Sequence, residues 1–235
     1  MSIGALTCLA APVWAQDLSI NLGDDNLLSA RVLQMLALIT VLSIAPGLAV
    51  MVTCFPFVVT VLSILRQAIG LQQAPPNMLI ISLAMFLTYF VMDPVFREAW
   101  EVGLKPLSTG ELDLREAFPK TLQPFRVFMS NRLDVATFET LQELRPVENP
   151  PAPVDAPLSI LIPSFMLSEI ERAFQIGFLI FLPFLIIDLV VAAVLMSMGM
   201  MMVPPVVVSL PFKLAFFAVA DGWSLIASAL VRSYF

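Results

Sequence analysis

The sequence predicts an all-α membrane protein: two kinked helical hairpins with a small helical extramembrane segment between them. Three observations lead there. Of 235 residues, 59% are hydrophobic and 13% charged, where a soluble domain carries about 25% charged and about 45–50% apolar residues. Two long runs are almost free of charge: 32–65, 34 residues with none, and 173–212, 40 residues with only Asp188. Between them, residues 98–157 hold 6 basic and 10 acidic side chains, together 16 of the chain's 30 charged residues.

Residues 1–15 read as a signal peptide. A short apolar stretch leads to Val13-Trp14-Ala15, a small-residue cleavage pattern before Gln16, although no Lys or Arg precedes it. The stretch is too short to span a bilayer. Residues 16–30 form a short N-terminal segment carrying Asp17, Asp24 and Asp25.

Residues 31–92 make the first helical hairpin. As one helix, the 32–65 run would be about 50 Å long, against a hydrocarbon core of about 30 Å. Pro46-Gly47 and Pro56 sit inside it, so a kink or break is expected. At the tip, Pro75-Pro76 stops one helix and Asn77 is placed to cap the next. The second apolar run, 78–92, is closed by Asp93-Pro94. Arg66 favours a cytoplasmic tip by the positive-inside rule.

Residues 93–157 form the acidic extramembrane segment, placed on the periplasmic side. Leu122, Phe125, Phe128 and Met129 recur at helical spacing, and so do Val135, Phe138 and Leu141 behind a candidate N-cap, Asp134. Two short amphipathic helices follow, with the phenylalanines as a small local core. Pro146, Pro150, Pro151, Pro153 and Pro157 make an extended linker.

Residues 158–235 make the second hairpin. Ten apolar residues, 158–167, are interrupted by Ser168-Glu169-Ile170-Glu171-Arg172 before the 173–212 run begins. Asp221-Gly222-Trp223 reads as an interfacial end with an aromatic anchor. The coarse topology is four spans, but the runs do not match bilayer thickness. Such helices suit burial against other protein, so an oligomer is expected.

Composition also excludes classes. There is no histidine, which removes Ser-His-Asp and Cys-His catalysis and every histidine-ligated metal site. Cys8 and Cys54 give no disulfide framework and read as small apolar fillers. A net charge of −6 argues against nucleic acid as a partner. No Walker lysine or glycine-rich loop is present. The expectation is therefore a non-enzyme without cofactor. A secondary transporter or channel for a small solute is the alternative; it would want paired repeats, which are absent.

Three groups of residues stand out. Met196, Met198, Met200, Met201 and Met202 place five of the 13 methionines within seven residues. Methionine is unbranched and adaptable. A ring of such side chains could close around an unfolded chain and exclude ions by dewetting; filling a gap between packed helices is the simpler reading. Gly199 lets this loop bend, and Pro204-Pro205 sets its exit. Asp188 and Lys213 lie 12 or 13 residues on either side of a fold between Met200 and Met201. Similar depth makes pairing expected, within one subunit or between two. Glu169, Glu171 and Arg172 form the third group, with Glu169 and Arg172 at i, i+3. An interfacial helix turn and a subunit contact are both open for them.

Longer stretches carry a family likeness. LSILRQAIGLQQAPPN at 62–77, FLTYFVMDPVF at 86–96, FMLSEIERAFQIGFLIFLPFLIIDLVVAAVLMSMGMMM at 165–202 and VPPVVVSLPFKLAFFAVADGW at 203–223 resemble the FliP family of flagellar biosynthesis proteins. The resemblance covers 41–96 and 158–223, with a looser match through 123–144. One departure is Thr53-Cys54-Phe55-Pro56-Phe57. The family usually has Thr-Ser-Phe-x-Arg there, so Phe57 stands in place of an arginine.

The resemblance implies a pore-forming core subunit of a type III protein export gate in the bacterial inner membrane, at the flagellar basal body. It implies a homo-oligomer, commonly of five copies, assembled into a helical pore with FliQ and FliR, with FlhA and FlhB beside it. Unfolded exported proteins would be its cargo. Met200–Met202 coincide with the loop that forms the family's gasket. The leader and the SMGMMM-VPP stretch fit the flagellar branch better than the injectisome one.

Overall fold

The computed structural model describes residues 25–71, 75–145, 152–200 and 202–235. The expected signal peptide, 1–15, lies outside the described residues, as do Met201 and the linker prolines Pro146, Pro150 and Pro151. Regular structure among the described residues is entirely helical. The chain divides into two compact units, the first ending at Ile44 and the second running from Ala45 to Phe235.

Helix α1, Asp25–Met51, carries the first unit and begins earlier than the expected 31. Its side chains from Val32 to Ile44 are mostly apolar, with Gln34, Thr40 and Ser43 among them, and exposed on every face. The hydroxyls of Thr40 and Ser43 donate to the carbonyls of Leu36 and Ile39, at 2.8 and 2.7 Å. The helix thus satisfies its own polar groups.

The long apolar run does break, but not at Pro46-Gly47, which lies inside α1. The break falls at Val52, Thr53 and Cys54. Thr53 Oγ1 donates to the Val50 carbonyl at 3.0 Å and accepts from the Phe55 amide at 3.4 Å. Helix α2, Phe55–Ile69, then starts with Pro56 in its first turn, where a missing N–H costs nothing. α2 stops at Gly70, whose φ of 86° is left-handed and favours glycine.

Helix α3, Asn77–Ala99, corrects two expectations. Asn77 is its first helical residue rather than its cap, and its Oδ1 accepts from Arg66 Nη1 across the hairpin tip. The helix also runs on through Asp93-Pro94, because Asp93 pairs with Arg97 one turn later at 2.9 Å. It continues into a π-helical turn, Trp100–Leu104, and the short α4, Lys105–Ser108.

The acidic segment folds as α5, Leu114–Arg132, and α6, Val135–Glu143. At 19 residues, α5 is longer than the short helix expected. Asp134 caps α6 by accepting from the Thr137 amide at 2.9 Å. The backbone and hydroxyl of Thr137 hold its carboxyl below the usual carboxylate range. Arg126 Nη1 donates to the Val154 and Ala156 carbonyls, at 3.2 and 2.8 Å, and so ties the described end of the linker to α5.

Helix α7, Leu158–Ser197, is continuous for 40 residues. The polar stretch 168–172 does not interrupt it, contrary to the sequence pattern. Ser164 and Ser168 donate back to the Ile160 and Ser164 carbonyls, and Glu169 finds partners on other elements. Helices α8, Pro205–Val219, and α9, Gly222–Arg232, are bent by 61° at Ala220-Asp221. Gly222 allows this close turn: an added Cβ would lie 2.1 Å from Phe217 Cε2.

α2 and α7 form the central seam, with Phe57, Val61, Leu65, Ala173 and Phe184 in a core shared with α3, α8 and α9. A second core gathers Met129, Leu133, Phe138, Leu161 and Phe165, and the half-buried Phe125 and Phe128 touch both. By length and composition, Arg31–Met51, Asn77–Ser108 and Leu158–Ser197 can each cross a membrane, and the bent pair α8–α9 is a fourth candidate. This is an all-α membrane protein.

Gly103, in the π turn, is the point of closest approach to α5. An added Cβ would stand 2.8 Å from Thr121 Cα, which is backbone and cannot swing away. Gly103→Val is expected to destabilise the detergent-extracted protein by about 1–3 kcal/mol through overpacking, read as a lowered thermal unfolding midpoint. An unchanged midpoint would contradict this packing.

Candidate functional site

Three features of the second unit concentrate its polar and adaptable side chains. The first is the turn between α7 and α8. The Gly199 amide donates to the Met196 carbonyl and the Met200 amide to the Leu195 carbonyl, both at 3.0 Å. Gly199 has φ 73°, so α7 closes with a left-handed glycine cap. Pro204 lies just outside α8, and Pro205 opens it. Met196, Met198, Met200 and Met202 are all exposed, Met202 at 98%. Met198 and Met200 also line an apolar groove of about 580 Å³ with Val194, Leu195, Val208 and Phe212.

The second feature joins three helices. Lys213 Nζ on α8 lies 2.6 Å from Asp188 Oδ2 on α7 and donates to the Ala68 carbonyl of α2 at 3.1 Å. Ser209 Oγ donates to the other carboxylate oxygen, Asp188 Oδ1, at 2.5 Å. Lys213 and Ser209 are buried. The pair therefore closes within one chain, and Lys213 also takes up a carbonyl left open in the last turn of α2.

The third feature surrounds Glu169, which is fully buried in the first third of α7. Arg132 Nε, at the end of α5, donates to Glu169 Oε1 at 3.1 Å. The Tyr234 hydroxyl donates to Glu169 Oε2. Arg132 Nη1 donates to the Ser233 carbonyl at 2.8 Å, and its guanidinium lies 4.0 Å from the centre of the Tyr234 ring. Phe57 meets the same ring edge-on at 5.6 Å, and Phe128 stacks on it at 6.0 Å. Phe57 is thus a buried aromatic wall of this cluster.

The trio Glu169, Glu171 and Arg172 does not act together. Arg172 Nη1 stands 3.9 Å from Glu169 Oε1, a looser approach than Arg132 makes. Glu171 is exposed and accepts from Gln175 one turn on, at 3.1 Å. The sequence reading singled out neither Arg132 nor Tyr234. Its one available signal was that a carboxylate inside an apolar helix demands a cation and a donor. Nothing in spacing says which.

Fold and site together define a class: an all-helical membrane component that neutralises its buried charges internally and turns a methionine loop outward. The chain belongs to the FliP family, whose pattern matches residues 38–230. It is 48% identical over 235 residues to the flagellar biosynthetic protein FliP of Caulobacter vibrioides, covering 99% of this chain and 88% of that one. The Bacillus subtilis FliP is 46% identical over 201 residues, covering 86% and 91%. The Agrobacterium fabrum FliP is 45% identical over 218 residues, covering 91% and 88%. This is a membrane-embedded flagellar export component.

Reversing one member of the Asp188–Lys213 pair leaves two like charges facing each other. Asp188→Lys and Lys213→Asp are each expected to cost about 3–5 kcal/mol, seen as lost thermal stability and lost motility. The double reversal should recover part of both, short of the wild type, because an aspartate at 213 cannot donate to the Ala68 carbonyl. No recovery would rule out direct pairing.

Proposed function

We propose that this chain is a pore-forming subunit of the flagellar type III export gate. It passes unfolded flagellar proteins across the bacterial inner membrane, and its acidic segment lies on the periplasmic side. Several copies, commonly five in the family, form a ring with FliQ and FliR, beside FlhA and FlhB. Its role is mechanical rather than enzymatic. Met196, Met198, Met200, Met201 and Met202 form the gasket, held out by Gly199, Pro204 and Pro205.

The observation that carries this reading is the exposed methionine turn at the end of a 40-residue apolar helix. At 1.5 Å per residue that helix is about 60 Å long, roughly twice the hydrocarbon core of about 30 Å. It leaves Phe174, Phe178, Leu189 and Val190 exposed. Protein neighbours cover such a length more fully than lipid can. At its end, flexible thioethers from several copies can meet around a moving chain of any sequence. When empty, the same apolar ring excludes ions by dewetting.

Two measurements test the proposal. Native mass spectrometry of the detergent-extracted complex is expected to show several copies of this chain with two unlike small membrane partners. A monomer that binds and releases a small solute would instead support the transporter reading. In membrane vesicles, Met200→Ala with Met202→Ala is expected to raise ion leak through the closed complex several-fold. Unchanged leak together with unchanged secretion would sink the gasket.

A further inference from the structure

We propose that the methionine turn is an oxidation site, at which hydroperoxides convert a sealed gate into a leaking one. The inference rests on the gasket reading and adds a modification chemistry to it. Met196, Met198, Met200 and Met202 are 61, 67, 41 and 98% exposed, whereas Met92 and Met129 in the two cores are 0 and 1% exposed. Other exposed methionines sit on the membrane-crossing helices α1 and α3: Met35 and Met51 on the first, Met78 and Met85 on the second. Met35 and Met85, inside those spans, would face lipid or protein rather than dissolved oxidant, while Met78 is a single thioether beside the hairpin tip. The turn alone gathers several exposed thioethers at a place where the gate would contact water.

The chemistry is a two-electron oxygen transfer. The thioether sulfur attacks the outer oxygen of a hydroperoxide; an S–O bond forms, the O–O bond breaks, and water or an alcohol leaves. Sulfur is oxidised and the peroxide reduced. Two electrons and two protons from a dithiol reverse the step, releasing water and a disulfide. The product is polar and chiral, so a ring of sulfoxides holds water where a ring of thioethers sheds it. The geometry adds a second effect. Met198 and Met200 line the groove against Val194, Val208 and Phe212, and a sulfoxide there loses its apolar contact. Among the described residues the turn is held by backbone bonds from the Met198, Gly199, Met200 and Val203 amides to the Val194, Met196, Leu195 and Met200 carbonyls.

The test uses the assembled complex in membrane vesicles, treated with dilute hydrogen peroxide and digested for peptide mass spectrometry. Sulfoxide at Met198 and Met202 is expected to form about tenfold faster than at Met92 and Met129, and several-fold faster than at Met35 and Met85. Ion leak should rise in step with it and fall again after treatment with a methionine sulfoxide reductase and a dithiol. A variant with Met196, Met198, Met200 and Met202 all changed to Leu, which leaves Met201 as the one thioether of the turn, should show a leak that peroxide alters several-fold less, whatever its untreated level. Equal oxidation at Met85 and Met202 would overturn the site. Full oxidation of the turn without a change in leak would overturn the switch, while the untreated Met→Ala variants report on the gasket by themselves. If the four-leucine variant fails to assemble, the site-resolved oxidation rates and the reductase reversal still decide.

Discussion

The carboxylate of Glu169 is fully buried at the twelfth position of a 40-residue apolar helix. Taking a carboxylate out of water costs several kcal/mol unless a cation and hydrogen-bond donors replace the lost hydration. Neither is available on α7 itself, where Arg172 comes only within 3.9 Å. The fold therefore has to bring Arg132 from the end of α5 and Tyr234 from beyond α9. Both carry further structure with them. Arg132 holds the Ser233 carbonyl, and the α5–α6 junction is tied to the same stretch because the Asp134 amide donates to Ser168 Oγ at 2.8 Å. One buried charge thus anchors the acidic segment and the end of the last helix to the longest helix of the chain.

A second tie lies further along α7. Asp188 is 19 residues past Glu169 (188 minus 169), about 28 Å along a helix. Lys213 joins it there to α8 and to the last turn of α2. α7 is thereby pinned at two depths, and the methionine turn begins two turns beyond the second. Charge is spent on fixing the frame, and the turn is left with apolar, adaptable side chains. That division suits the proposed gate, in which the turn would give way while the rest stays in place.

Several of these features were legible in the sequence because they depend on local rules. The break near Pro56, the turn marked by Gly199 and Pro204-Pro205, and the equal spacing of Asp188 and Lys213 about it follow from backbone chemistry and helix period. What escaped was decided at a distance. Glu169 finds Arg132 37 residues away and Tyr234 65 residues away, and no periodicity encodes such separations. Two helix ends were misplaced as well. A polar stretch ends a helix when its groups turn to water, but Ser168 and Glu169 meet donors on other elements, and Asp93 meets Arg97 one turn along its own helix. Phe57 is legible only afterwards, as an aromatic wall beside a guanidinium that arrives from another helix.

The central claim is that Glu169 is held by Arg132 and that this contact organises the chain. A double-mutant cycle on the detergent-extracted protein measures it most directly. Arg132→Gln is predicted to cost about 3–5 kcal/mol, because it strands a buried carboxylate. Adding Glu169→Gln to it should restore most of that loss, since the stranded charge is gone. Losses that simply add in the double variant would contradict the account.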